Sequence, residues 1–117
     1  MTTPRILLVE DDALIALDMQ DILEAEGFAV VGPANTFEKA LALATSERIN
    51  AATLDVDLGG KKVWRVAQAL RDRAIPFVFL TGITEALEPN PDFADVQRIT
   101  KPVNIAALRT TLAQLLR

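Results

Sequence analysis

The sequence predicts an α/β domain built on a doubly wound, five-stranded parallel sheet with about five helices. Three observations predict it. Short continuous apolar runs alternate with helix-spaced apolar residues along the whole chain, as repeated βα units require. Polar residues stand where the apolar runs end: Glu10-Asp11 after Ile6 to Val9, Asp55 after Ala52 to Leu54, Thr81 after Phe77 to Leu80, and Lys101 after Val96 to Ile99. The length of 117 residues fits one domain, residues 1–117, which can bury roughly two-thirds of its unfolded surface in one core.

The first strand is expected over Arg5 to Glu10, leading into a helix from Asp12 to Glu26. Ile15, Met19, Ile22 and Leu23 share one face of that helix, and Gly27 supplies the left-handed stop. Phe28 to Val31 reads as the second strand, closed by Gly32-Pro33. Asn35 with Glu38 forms a capping pair for a helix through Glu47, with Phe37, Ala40, Leu41 and Ala44 inward. Ala51 to Asp55 is the third strand, and Gly59-Gly60 separates it from a helix over Lys62 to Arg73 whose buried stripe is Val63, Val66, Ala67 and Leu70. Pro76 introduces the fourth strand. The stretch from Ile83 to Asp92 carries Pro89 and Pro91 and supports only a turn or two of helix, so the fourth helix is expected to be short or mobile. Asp95 to Ile99 is polar on alternate positions, as an edge strand is. The last helix, Asn104 to Leu116, should bury Ile105, Leu108, Leu112 and Leu115. Without repeats, linkers or low-complexity tracts, no output domain is expected in the chain.

In a parallel sheet the carboxyl ends of the strands share one edge, so these distant polar residues can meet in one pocket. The strand order 2-1-3-4-5 sets strands one and three side by side, bringing the acidic pair next to Asp55. Three carboxylates, a hydroxyl and an ammonium suit a divalent cation and a phosphoryl group. Each feature also has a plainer reading. The acids before the first helix complement its macrodipole, Asp55 and Thr81-Gly82 are turn residues, and Lys101 precedes a helix-entering proline. All four in order at successive strand ends are hard to produce by chance.

Composition removes several function classes. The chain has no cysteine, which excludes thiol chemistry and zinc ribbons, and no histidine, which excludes Ser-His machinery. Any phosphohistidine must belong to a partner. A net charge of −4 argues against a direct nucleic-acid surface. No leader-like start and no apolar run near the roughly 18 residues of a membrane span are present, so a cytoplasmic protein without membrane contact is expected.

The segments Ile6-Leu7-Leu8-Val9-Glu10-Asp11-Asp12, Leu54-Asp55-Val56-Asp57-Leu58-Gly59-Gly60, Phe79-Leu80-Thr81-Gly82 and Thr100-Lys101-Pro102 together resemble the receiver domain of two-component response regulators, over essentially the whole chain. Individually weak, they are specific as an ordered set. The resemblance implies a flavodoxin-like (CheY-like) fold and a signalling phosphoacceptor rather than an enzyme. Asp55 would accept the phosphoryl group, and Mg²⁺ would be held by Asp11 and Asp55 directly, by Glu10 through water, and by the main-chain carbonyl of Asp57. Thr81 would be the switch hydroxyl, and Lys101, before a cis proline, the counter-charge to the phosphoryl oxygens. Gly82 would leave room for the group. Implied partners are a sensor histidine kinase or phosphotransfer protein, and a downstream protein on the surface of the fourth helix, fifth strand and fifth helix. Self-phosphorylation from small phosphodonors and autodephosphorylation are implied as well.

Two departures qualify the resemblance. Arg98 stands three residues before the lysine, where receivers usually carry an aromatic residue, which leaves order and disorder over Ile83 to Asp92 as the expected relay. The loop after Asp55 lacks the common Met-Pro pair. With Pro76 to Gly82 it is similar to single-domain receivers with a Phe-Ala-Thr-Gly type signature, here with Leu80 for the alanine, a subgroup associated with divergent histidine kinases of alphaproteobacteria. In that subgroup Asp57 faces the phosphoryl site and tunes hydrolysis; as a residue read alone, it caps the loop. Trp64, off the apolar stripe, is either half-buried packing or a partner contact. Two other functions stand beside this one: a pseudo-receiver that binds partners without phosphorylation, and a haloacid dehalogenase-like phosphatase using Asp55 and Asp57. The latter family places its acid pair after the first strand, whereas here the other acids lie upstream.

Overall fold

The computed structural model describes residues 3–82 and 90–117. The chain runs β1 (Arg5–Val9), α1 (Ala13–Ala25), β2 (Ala29–Ala34), α2 (Phe37–Ser46), β3 (Ala51–Asp55), β4 (Asp57–Leu58), β5 (Lys61–Lys62), α3 (Trp64–Asp72), β6 (Phe77–Thr81), a 3-10 turn at Pro91–Phe93, β7 (Arg98–Thr100) and α4 (Ile105–Leu115). Five parallel strands form the sheet in the order β2-β1-β3-β6-β7, with β4 and β5 forming a separate antiparallel hairpin. With that hairpin set aside, this is the predicted 2-1-3-4-5 order.

Alternation along the strands builds two cores, one on each face of the sheet. Leu7, Val9, Leu54 and Phe79 pack with Ala40 and Ala44 of α2 and with Val66 and Leu70 of α3. Ile6, Leu8, Val78 and Leu80 pack with Met19 and Leu23 of α1 and with Leu108 and Leu112 of α4. Strands β3 and β6 are buried along their whole length, as parallel strands covered on both faces must be. Trp64 is half-buried packing: it meets Phe79 edge-on at 5.4 Å and stacks on Phe93 at 5.9 Å.

Several boundaries differ from the sequence expectation. Strand β2 does not stop at Gly32-Pro33 but runs through it to Ala34, with a cis peptide at that bond. The pairing of β1 skips from Leu7↔Val31 to Val9↔Ala34, so the dipeptide is accommodated as an irregularity on an edge strand, where a missing N–H is tolerated. Helix α2 is capped by Thr36, whose hydroxyl accepts from Lys39 N at 3.1 Å, and not by Asn35. Ile15 and Ile105 are 40% and 46% exposed rather than buried. In α1 the buried stripe is Ala16, Met19 and Leu23, which leaves Ile15 on its flank, lining an open groove with Met19, Ile22, Pro102 and Val103. In α4 the inward places go to Leu108, Thr111 and Leu112. Strand β7 is shorter than expected, and β4 and β5 form a hairpin of two-residue strands that the apolar pattern does not mark. The expected short or mobile fourth helix falls mainly on residues 83–89, outside the described residues; beyond them Asn90 caps the Pro91–Phe93 turn.

The stops that place the strand ends follow from local chemistry. Asp12 caps α1, its carboxylate accepting from Leu14 N and Ile15 N at 2.9 and 3.1 Å. At the far end Gly27 takes φ +91°, with Gly27 N donating to Glu24 O and Phe28 N to Leu23 O, the paired bonds of a Schellman stop. Asn104 caps α4 through Ala107 N at 3.0 Å.

Candidate functional site

Each predicted site residue lies at or just beyond a strand end because the apolar run before it fills the sheet. Glu10 follows β1 and is tied to the edge strand by its N–H, which donates to Ala34 O at 3.0 Å. The β1–β3 register pairs Val9 with Leu54, so the acids that follow on the two strands are neighbours. Oxygens from Glu10, Asp11 and Asp55 all lie within 4.8 Å of one another. Lys101, one residue past β7, reaches across the edge: its Nζ lies 3.3 Å from Glu10 Oε1 and 3.1 Å from Asp55 Oδ2. The Lys101-Pro102 peptide is cis.

Thr81 closes β6, one residue beyond Leu80, which pairs with Asp55. Its carbonyl accepts from Lys101 N at 2.7 Å. Its hydroxyl is buried, and no hydrogen-bond partner for it exists among the described residues. Such an orphan in a polar pocket is costly unless a ligand answers it.

Burial decides the electrostatics. Glu10 is fully buried and Asp55 3% exposed, while Asp11 is exposed. One ammonium faces three carboxylates. Two like charges about 4 Å apart repel by roughly 4 kcal/mol near a protein surface, so not all three acids can stay ionised. Desolvation, reinforced by Glu10, pushes the Asp55 carboxyl up to about 8 against the pull of Lys101. Desolvation also works to raise Asp11, but hydrogen bonding with Asp55 and with the Gly59 N–H outweighs it and holds Asp11 below the usual carboxylate range. Burial works to lower Lys101, yet its pairing with Asp55 and Glu10 raises it. Raised in this way, Asp55 keeps its proton through neutral pH. A divalent cation among these oxygens would displace that proton, and the oxygen-only donor set fits a hard cation.

A pH dependence follows. Near pH 5 the unfolded chain has already lost the Asp55 proton while the folded chain keeps it until about pH 8. The folded state therefore binds more protons across this window, and the contribution of Asp55 to stability declines as pH rises from about 4 towards 8. In chelator, the melting temperature of the parent chain should fall more between pH 5 and pH 8 than that of Asp55→Asn. Equal slopes by differential scanning fluorimetry would contradict the buried-acid assignment.

The structure brings together Glu10, Asp11, Asp55 and Lys101, and sets Thr81 at the same edge. It does not bring the Asp57 side chain among the acids. That carboxylate accepts from Gly60 N at 3.0 Å and lies 3.5 Å from Lys62 Nζ, which is the loop-capping role. Two contacts were invisible in the sequence: Gly59 N donates to Asp11 Oδ2 at 3.1 Å, and Asp12 N to Glu10 Oε2 at 3.1 Å. The Gly-Gly pair was the available signal for the first. Arg98 pairs in register with Phe79, so β7 contributes no aromatic side chain at that position. No helix among the described residues is long and apolar enough to cross a membrane.

Comparison with known proteins agrees with the geometry. The solution structure of SdrG from Sphingomonas melonis superposes with a TM-score of 0.85 at 40% identity, covering 100% of both chains. The phyllosphere-induced regulator PhyR of Methylorubrum extorquens is 30% identical over 111 residues, covering 89% of this chain and 41% of that protein. The transcriptional regulatory protein PdtaR of Mycobacterium tuberculosis is 29% identical over 107 residues, covering 89% of this chain and 52% of its own. The chain thus spans about half the length of these curated relatives. The response regulator receiver domain model matches residues 6–113, taking in the five-stranded sheet from Ile6 onward and every acid at its edge, and the chain belongs to that family.

Proposed function

We propose that the chain is a phosphoacceptor of a phosphorelay, receiving a phosphoryl group on Asp55 from a histidine kinase or phosphotransfer protein. The observation that carries the reading is the convergence of Glu10, Asp11, Asp55 and Lys101 on one strand edge. Mg²⁺ would be held by Asp11, Asp55, the Asp57 carbonyl and, through water, Glu10. When bound, the cation supplies charge stabilisation for the transferring group.

Asp55 then acts as a carboxylate nucleophile. Its oxygen forms a bond to phosphorus as the bond from phosphorus to the donor imidazole nitrogen breaks, and the electron pair stays on that nitrogen. Lys101 remains beside Asp55 to neutralise the phosphoryl oxygens, and the orphaned Thr81 hydroxyl is the group free to turn towards them. In autodephosphorylation water attacks phosphorus, the bond to Asp55 breaks, and the carboxylate returns with release of inorganic phosphate. Switching of a downstream protein through the β7 and α4 surface is part of the same reading. So is placement in the Phe-Ala-Thr-Gly subgroup, which the loop after Asp55 and the run Pro76 to Gly82 favour. A phosphatase built on Asp55 and Asp57 is not supported, because the Asp57 side chain is engaged by Gly60 and Lys62.

Incubation with acetyl phosphate should add one phosphoryl group by intact mass with Mg²⁺ present and none in excess chelator. Many equivalents of phosphoester turned over per chain would indicate an enzyme instead. Lys101→Met should fold and still bind Mg²⁺ but acquire the adduct roughly 10²-fold more slowly, as expected for loss of one charge at the transferring group. An unchanged rate would remove Lys101 from the reaction.

A further inference from the structure

Asp11 is the exposed member of the acid cluster, and something must hold its carboxylate beside Asp55. Besides its hydrogen bonding with Asp55, it accepts from a backbone group of another element, Gly59 N, at 3.1 Å. Gly59 belongs to the turn joining β4 and β5, where both glycines have positive φ, +59° for Gly59 and +90° for Gly60. Such a turn has no stiffness of its own, since glycine enters many other conformations as readily. It is held from within by Asp57, whose Oδ1 accepts from Gly60 N at 3.0 Å and whose Oδ2 faces Lys62 Nζ at 3.5 Å. From outside it is held by Lys61, which pairs with Glu38 of α2 at 2.5 Å, and by Val63 N, which donates to Val56 O at 2.9 Å.

We propose that the Asp57 side chain is a positioning residue for the cation site. It closes the glycine turn so that the Gly59 N–H meets Asp11 and fixes that carboxylate among the acids. The cost of ordering the exposed ligand is then met in the folded chain before any cation arrives, which is how a second layer of hydrogen bonds raises metal affinity. The inference rests on the cation reading above and adds a role for a side chain that reading leaves idle.

Asparagine and alanine at position 57 separate this role from simple charge. Asp57→Asn and Asp57→Ala both delete the same negative charge, but only asparagine keeps an oxygen to accept from Gly60 N. Mg²⁺ affinity of the full chain, measured by isothermal titration without any phosphodonor, should fall about 10-fold further in the alanine variant than in the asparagine variant, the equivalent of about 1.4 kcal/mol. The Gly59 amide should exchange faster with solvent in Asp57→Ala than in Asp57→Asn or the parent. Equal affinities for the two variants, whether both weakened or both native, would overturn the proposal while leaving the cation reading intact. Failure of the parent chain to bind Mg²⁺ would overturn both.

Discussion

Asp55→Asn is expected to take up no phosphoryl group from acetyl phosphate and Mg²⁺ under conditions that modify the parent chain. Asparagine keeps the volume and one acceptor oxygen but has no carboxylate to attack phosphorus. In the same variant the metal-free fold should be more stable at pH 8, because the acid it removes is buried and crowded by Glu10. Each pKa unit is worth about 1.4 kcal/mol; with the lost Lys101 contact working the other way, a net gain of about 1–3 kcal/mol is expected. Lys101 keeps Glu10 as a partner, so its charge is not stranded. Loss of the adduct together with gain of stability is a combination that general misfolding cannot produce. A surface variant, Asp72→Asn, should behave as the parent does.

Gly32→Ala should have the largest effect on stability, far from the chemistry in kind though not in space. Gly32 has φ +99°, and a Cβ there would stand 2.6 Å from Ala34 N and 3.1 Å from Leu8 O, both backbone atoms. A flexible side chain could yield, but here the ladder between β1 and β2 would have to shift. Left-handed backbone alone costs an alanine about 1–2 kcal/mol, and the clash brings the expected loss to about 2–4 kcal/mol. For urea slopes of about 1–3 kcal/mol per molar, the unfolding midpoint should drop by roughly 1–3 M. The ladder that would move also holds Glu10 N on Ala34 O, so surviving folded protein should bind Mg²⁺ more weakly. An unchanged midpoint would show that the edge strand can leave without cost.

The parts of this molecule legible in its sequence are those set by one-dimensional patterns. Strands β3 and β6 were legible because a fully buried parallel strand is a continuous apolar run, and the meeting of Glu10, Asp11, Asp55 and Lys101 at one sheet edge was legible because a charge ends such a run. The helix stop at Gly27 was legible for a similar reason, since left-handed backbone there calls for glycine. What failed depended on geometry between elements. Gly32-Pro33 looks like a turn until β1 is known to pair past it. Asn35 and Thr36 are both competent caps, and only the direction of entry into α2 chooses Thr36. Ile15 and Ile105 share the helical spacing of core residues, but Ala16 and Thr111 are buried while both isoleucines stay exposed. The hairpin around Gly59-Gly60 has too few residues to carry a period at all. Asp57 shows the limit best: its type and place suit a reactive acid, and only its contacts with Gly60 and Lys62 assign it to the turn.

On this proposal the strand-edge cluster is a cation-dependent phosphoacceptor with Asp55 as its nucleophile. The most direct measurement is to modify the chain with acetyl phosphate and Mg²⁺, trap the acyl phosphate by borohydride reduction, and map the altered residue by peptide mass spectrometry. A single reduced site at Asp55, absent in chelator, is the predicted result. Modification at Asp11 or Asp57 with Asp55 intact, or the same yield without Mg²⁺, would contradict it.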